Sequence, residues 1–141
     1  MKKVVFVCIH NSGRSQMAEA FTNRLGGDVV HAESAGTLPG DGLNPTAVQA
    51  MEEIGYDMSG HYPKIMTEEM VDTADLVVTM GCGVNLDEAA EGGTCPVVLA
   101  PSEDWGLEDP KGKPFEKVRE IRDEIKSRVE VMIAEYAAEE K

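Results

Sequence analysis

Apolar and polar positions along this chain switch between a strand period and a helix period. Lys3–Cys8 is a continuous apolar, β-branched run, the signature of a strand buried on both faces. Ser15–Leu25 carries Met17, Ala18, Phe21 and Leu25 at helical spacing, and Gly26-Gly27 stops it. Val29–Glu33 reads as a second strand. Asn44 caps the next helix and Pro45 takes its first position; Ala47, Val48, Met51 and Ile54 fall on one side, and Gly55 ends it. Thr67 caps a short helix running to Thr73. Asp75–Met80 and Val97–Ala100 predict a third and a fourth strand. From Phe115 onward, Val118, Ile121, Ile125, Val129, Met132 and Tyr136 recur every three or four residues, predicting a long amphipathic helix on which Glu124 pairs with Arg128.

Strands alternating with helices predict an α/β fold, a four-stranded parallel sheet with helices on both faces. Such sheets bind ligands at the carboxyl ends of their strands. Cys8 ends the first strand, Cys82 lies two residues past the third, and Asp109 follows the fourth, so the topology predicts their convergence on one edge. At 141 residues the chain is expected to be one domain, 1–141.

Composition narrows the classes. With 42% hydrophobic and 28% charged residues the chain is globular rather than disordered. No apolar run approaches the ~20 residues of a membrane span. The apolar start stops at Ile9 and enters a polar loop without a small-residue cleavage site, so it reads as a strand and the protein as cytoplasmic. A formal charge of −13 argues against nucleic acid and anionic membranes as partners. Much of the acid lies between Ile65 and Pro110, which holds no Lys, Arg or His. That stretch reads as a solvated acidic surface in preference to a docking face for a basic partner.

Three cysteines, Cys8, Cys82 and Cys95, are an odd count without a secretion signal, which argues against a disulfide framework and toward redox or metal chemistry. No CxxC occurs, and His10, His31 and His61 do not stand at ligand spacing from the cysteines, so no metal site is expected.

The strongest chemistry is in Cys8-Ile9-His10-Asn11-Ser12-Gly13-Arg14-Ser15. A loop that follows a strand and opens a helix can curl its backbone N–H groups into an anion-binding nest. Gly13 permits the curvature, and Arg14 adds a fork matched to two oxygens of a tetrahedral anion. The same donors, with the Ser15 hydroxyl, stabilise a thiolate at Cys8. Nucleophile, cradle and charge clamp thus fall within eight residues. His10 reads as a residue of the pocket rim, and Asp109 as the acid that protonates a leaving oxygen.

Cys-x5-Arg-Ser at the N-terminus, with Asp109-Pro110 late in the chain, resembles the low-molecular-weight protein tyrosine phosphatase superfamily. Asn11 to Ala20, Ser34-Ala35-Gly36, Glu103-Asp104-Trp105, Asp109 to Lys113 and Ile121 to Ile125 resemble the arsenate reductases of that superfamily, over nearly the whole chain. The resemblance implies the fold and a cytoplasmic, monomeric enzyme of arsenical resistance. It also implies that Cys8 attacks arsenate, that Cys82 displaces arsenite and forms a disulfide with Cys8, and that Cys95 takes over that disulfide. Arg14 binds the oxyanion, Ser15 tunes the thiolate and Asp109 is the general acid. No bound cofactor is implied; an external reductant, thioredoxin or a small thiol, supplies electrons. Gly83 to Thr94 is longer than the family's spacing between these cysteines, and Met80-Gly81-Cys82-Gly83 looks like a variant served by another thiol. Some relatives hold potassium beside the loop with an Asn, a Glu, a Ser and an Asp. Asn11, Glu19 and Ser34 match, but Lys64 stands where the Asp would be, so no potassium is expected.

The alternative within enzymes is a tyrosine phosphatase working through a phosphocysteine. Against it, Lys111-Gly112-Lys113 stands where those enzymes place aromatics after Asp-Pro, and Gly13 where they often carry a second cysteine. A phosphocysteine carrier would need neither Asp109 nor two further thiols, and an intact Cys8 and Arg14 argue against a non-catalytic anion-binding module.

Overall fold

A computed structural model of the chain describes residues 2–8, 10–38, 40–80, 102–105, 107 and 112–139. Their elements are β1 (Lys2–Cys8), α1 (Arg14–Gly26), β2 (Val30–Gly36), α2 (Pro45–Glu53), α3 (Glu68–Asp72), β3 (Leu76–Thr79), β4 (Ser102–Asp104) and α4 (Phe115–Glu139). The sheet order is β2-β1-β3-β4, and every neighbouring pair is parallel. The apolar run of β1 is explained by its central place: Phe6 lies between Ser34 of β2 and Val78 of β3, and Val4 to Val7 are fully buried.

The two faces of β1 feed two cores. Val4 and Phe6 join Met17, Phe21, Met51, Ile125 and Val129, which come from α1, α2 and α4. Val5 and Val7 join Ala35, Val77, Met66 and Val71, on the face covered by α3. Edge-to-face ring contacts add shape to the first core: Phe6 with Trp105 at 5.4 Å, and Phe21 with Tyr56 at 4.9 Å.

Local signals hold at most element ends. The Asn44 side chain accepts from the Thr46 amide at 3.0 Å, and Thr67 accepts from the Met70 amide at 3.2 Å. Gly55, at φ +86, turns the chain after α2. Glu124 meets Arg128 at 3.8 Å along α4. Two expectations are corrected, and a third falls outside the described residues. Leu25 is exposed rather than part of the apolar stripe. Thr22 and Gly26, with Ala18, form the buried row, and a Cβ on Gly26 would stand 3.5 Å from Ile133 of α4. β2 does not stop at Glu33 but runs to Gly36, because Ser34, Ala35 and Gly36 pair with Phe6, Val7 and Cys8. Val97–Ala100 lies outside the described residues; the segment that pairs with β3 is Ser102–Asp104.

α2 and α4 are joined by a polar lock. Arg122, buried on α4, donates to the Ala50 carbonyl at 2.9 Å and to Glu53 at 2.7 Å through Nη1, and to Asp123 at 2.9 Å through Nε. Arg119 pairs with the same Glu53, and hydrogen bonds from Arg119 and then Arg122 hold the Glu53 carboxyl below its ordinary 4.5. Among the described residues no helix is long and apolar enough to cross a membrane.

Candidate active site

The loop that follows β1 sits at the carboxyl edge of the sheet, where parallel topology places ligand sites. Its outer carbonyls are anchored to the chain after β2. The Gly40 amide donates to the His10 carbonyl at 3.0 Å, and the Asn44 amide to the Ser12 carbonyl at 2.7 Å. A trans peptide points its N–H opposite to its C=O, so these anchors turn the amides of Asn11 and Gly13 toward the inside of the loop. The Asn11 amide duly donates to Cys8 Sγ at 3.2 Å. α1 starts immediately after Gly13 without a side-chain cap, the kind of helix end that takes a tetrahedral anion.

Asn11 is the keystone. It is fully buried and sits at φ +51, a left-handed conformation that Asn tolerates better than most residues. Its Oδ1 accepts from the Lys64 amide at 2.8 Å and from Gln16 Nε2 at 3.0 Å. With both of those partners donors, the oxygen's position is fixed, and Nδ2 must face Ser15, to which it donates at 2.8 Å. A serine hydroxyl has one hydrogen. With Ser15 Oγ accepting from Asn11, that hydrogen is available to Cys8 Sγ, 2.9 Å away. Two donors, the Asn11 amide and the Ser15 hydroxyl, therefore converge on the sulfur and favour its thiolate.

Arg14, only 4% exposed, donates from Nη1 to the Met80 carbonyl at 3.1 Å and the Leu107 carbonyl at 2.6 Å. It thereby joins the loop after β1 to the end of β3 and to the chain beyond β4. Met80 and Leu107 stand two positions before Cys82 and Asp109 in sequence.

Of the residues singled out by sequence, Cys8, Asn11, Arg14 and Ser15 form this buried cluster, with Ser12 and Gly13 completing the loop. His10 is exposed on the rim, its Nδ1 3.0 Å from the Leu38 carbonyl. Ile9, Cys82, Cys95 and Asp109 lie outside the described residues. Sequence reasoning missed Gln16, whose amide donates to the Asn11 carbonyl at 3.0 Å and the Tyr62 carbonyl at 2.9 Å, and His61, 2.9 Å from Gln16 Oε1. A polar Gln on the buried side of α1 was the available signal.

The potassium-binding set of some relatives does not fit here. The Lys64 ammonium lies 3.7 Å from a Glu19 carboxylate oxygen. A resident ammonium and an alkali cation beside one carboxylate would repel each other.

Comparison with known proteins agrees with the fold. The profile of the low molecular weight phosphotyrosine protein phosphatase family matches residues 3–141. A Synechocystis sp. protein named glutaredoxin arsenate reductase is 43% identical over 138 residues, 97% of this chain and 100% of that one. A solved structure described as an arsenate reductase in the phosphate binding state superposes with a TM-score of 0.83 at 42% identity, covering 96% of this chain and 99% of that one. The YwlE arginine phosphatase from Geobacillus stearothermophilus superposes with a TM-score of 0.84 at 25% identity, covering 99% and 95%. With a match spanning nearly its whole length, the chain belongs to the low molecular weight phosphotyrosine protein phosphatase family.

Proposed function

We propose that this protein is an arsenate reductase, a single catalytic domain in which Cys8 attacks arsenate and the electrons leave through Cys82 and Cys95. Support comes first from Cys8 Sγ, which takes hydrogen bonds from the Asn11 amide and the Ser15 hydroxyl in an anion-shaped loop, and then from similarity to proteins named arsenate reductases. Arsenate enters the nest of loop amides from Ile9 to Ser15, with Arg14 on two of its oxygens. The thiolate displaces one arsenate oxygen, which Asp109 protonates as it leaves, giving a Cys8–arsenic bond. The Cys82 thiolate then attacks Cys8 Sγ. A sulfur–sulfur bond forms, the sulfur–arsenic bond breaks, and its electron pair stays on arsenic, reducing As(V) to As(III). Cys95 attacks Cys82, freeing Cys8 and leaving a Cys82–Cys95 disulfide. An external dithiol reduces that disulfide; the name of the Synechocystis relative favours glutaredoxin over thioredoxin.

The test is arsenite release from arsenate with glutathione and glutaredoxin, or with thioredoxin. Wild type turns over and Cys8→Ser does not, and mass spectrometry after arsenate treatment finds a Cys8–Cys82 or Cys82–Cys95 disulfide. A protein that stays fully reduced yet hydrolyses aryl phosphate is a phosphatase instead. Family membership and the likeness to an arginine phosphatase favour that as the second reading.

A further inference from the structure

The chain from His61 to Met66 runs beside the nucleophile loop and is tied down along its length. The Tyr62 carbonyl accepts from Gln16, the Lys64 amide donates to Asn11 at 2.8 Å, the Lys64 carbonyl accepts from the Gly36 amide at 2.8 Å, and the Met66 amide donates to the Gly36 carbonyl at 2.9 Å. Two side chains of this segment close on one carboxylate of α1: His61 Nδ1 is 3.1 Å and Lys64 Nζ 3.7 Å from Glu19, whose side chain is 12% exposed. A carboxylate so enclosed requires a counter-charge. The position of Lys64 matters because its backbone and side chain act on the same machinery. The amide orients Asn11, and Asn11 passes that orientation through Ser15 to Cys8 Sγ over hydrogen bonds of 2.8 and 2.9 Å.

We propose that Lys64 is the resident cation of this site: its ammonium neutralises Glu19 while its amide fixes Asn11, so that the loop keeps its anion-binding, thiolate-stabilising shape without an alkali-metal ion. Lys64 and Glu19 are positioning residues, since neither touches the sulfur. The inference rests on the role proposed for Cys8 and its loop, but not on arsenate being the substrate.

The test uses the full chain with Cys82→Ser and Cys95→Ser, so that Cys8 alone reacts. Three quantities are read at one pH and one ionic strength, in tetramethylammonium, sodium and potassium chloride: the rate of Cys8 alkylation by iodoacetamide, ultraviolet thiolate absorbance, and orthophosphate affinity by calorimetry. With Lys64 present, all three are expected to be the same in every salt. Lys64→Met keeps the amide and removes the charge; it lowers alkylation rate and phosphate affinity by about two- to fivefold, the size of one partly exposed ion pair. Lys64→Arg recovers both. Glu19→Gln, which removes the other partner, gives a loss of the same size and serves if Lys64→Met fails to fold. Potassium-stimulated values with Lys64 present, an unchanged Lys64→Met or Glu19→Gln, or a Lys64→Arg that does not recover would each overturn the proposal. Because no readout uses arsenate, failure of arsenate turnover would remove the proposed function and leave this inference standing.

Discussion

Asn11→Asp changes one polar group in the loop and keeps its shape. Asp tolerates the left-handed conformation that Asn11 adopts at φ +51, and a carboxylate oxygen still accepts from the Lys64 amide and Gln16. What is lost is the donor: Nδ2, which donates to Ser15 Oγ at 2.8 Å, becomes a second acceptor. The single Ser15 hydrogen must then serve either the new carboxylate or Cys8 Sγ, and the carboxylate is the stronger acceptor. Hydrogen bonds to charged groups contribute about 1.5–3 kcal/mol. At 1.36 kcal/mol per unit, the midpoint of Cys8 ionisation rises by roughly one to two units. Repulsion between carboxylate and thiolate acts in the same direction. The assay is the pH dependence of iodoacetamide alkylation with Cys82→Ser and Cys95→Ser present. Asn11→Ala is the comparison. It leaves the Lys64 amide without its side-chain acceptor and should lose more stability, but it frees the Ser15 hydrogen for sulfur and should move the alkylation midpoint less. An Asn11→Asp midpoint that coincides with wild type, or lies below that of Asn11→Ala, would show that Ser15 does not donate to Cys8.

Arg122→Met removes the donor to the Ala50 carbonyl and leaves that acceptor at a buried helix contact; a loss of about 1–3 kcal/mol is expected in urea denaturation, with Cys8 alkylation unchanged. Glu53 is held below its ordinary 4.5 by Arg119 and Arg122. A depressed carboxyl contributes stability that is full above its unfolded value and is lost as pH falls through the folded one, so the melting temperature should decline below about pH 4.5, and Glu53→Gln should flatten that decline. Phe21→Ala opens the core beneath Tyr56, where Phe21 is fully buried; about 3–5 kcal/mol should be lost in the same denaturation.

The fold was legible wherever one residue's pattern was enough. The apolar run of β1, the Asn44-Pro45 start of α2, the Thr67 cap and the stripe of α4 each declare themselves locally, and each is in place. Leu25 misled because helical spacing cannot say which of two adjacent rows meets a neighbour. The small row ending at Gly26 won, because it lets α4 come close. The shape of the loop after β1 was legible for the same reason as β1 itself: strand, glycine, arginine and helix are contiguous.

The support around that loop was less legible, since its parts come from three places in the chain. Gln16 reads as an ordinary polar helix residue until Asn11 and Tyr62 are found at either side of its amide. His61 reads as an isolated basic residue until Glu19 is found 3.1 Å from its Nδ1. Motif reasoning finds residues that stand at fixed spacing on one turn. It does not recover the groups that decide which way those residues face. In this protein that decision turns on one amide: Asn11 can aim a donor at Ser15 only because Lys64 and Gln16 claim its oxygen. The hydrogen bonding of Cys8 Sγ therefore depends, through Asn11 and Ser15, on a residue some fifty positions away, and substitutions there should alter its reactivity before they alter the fold.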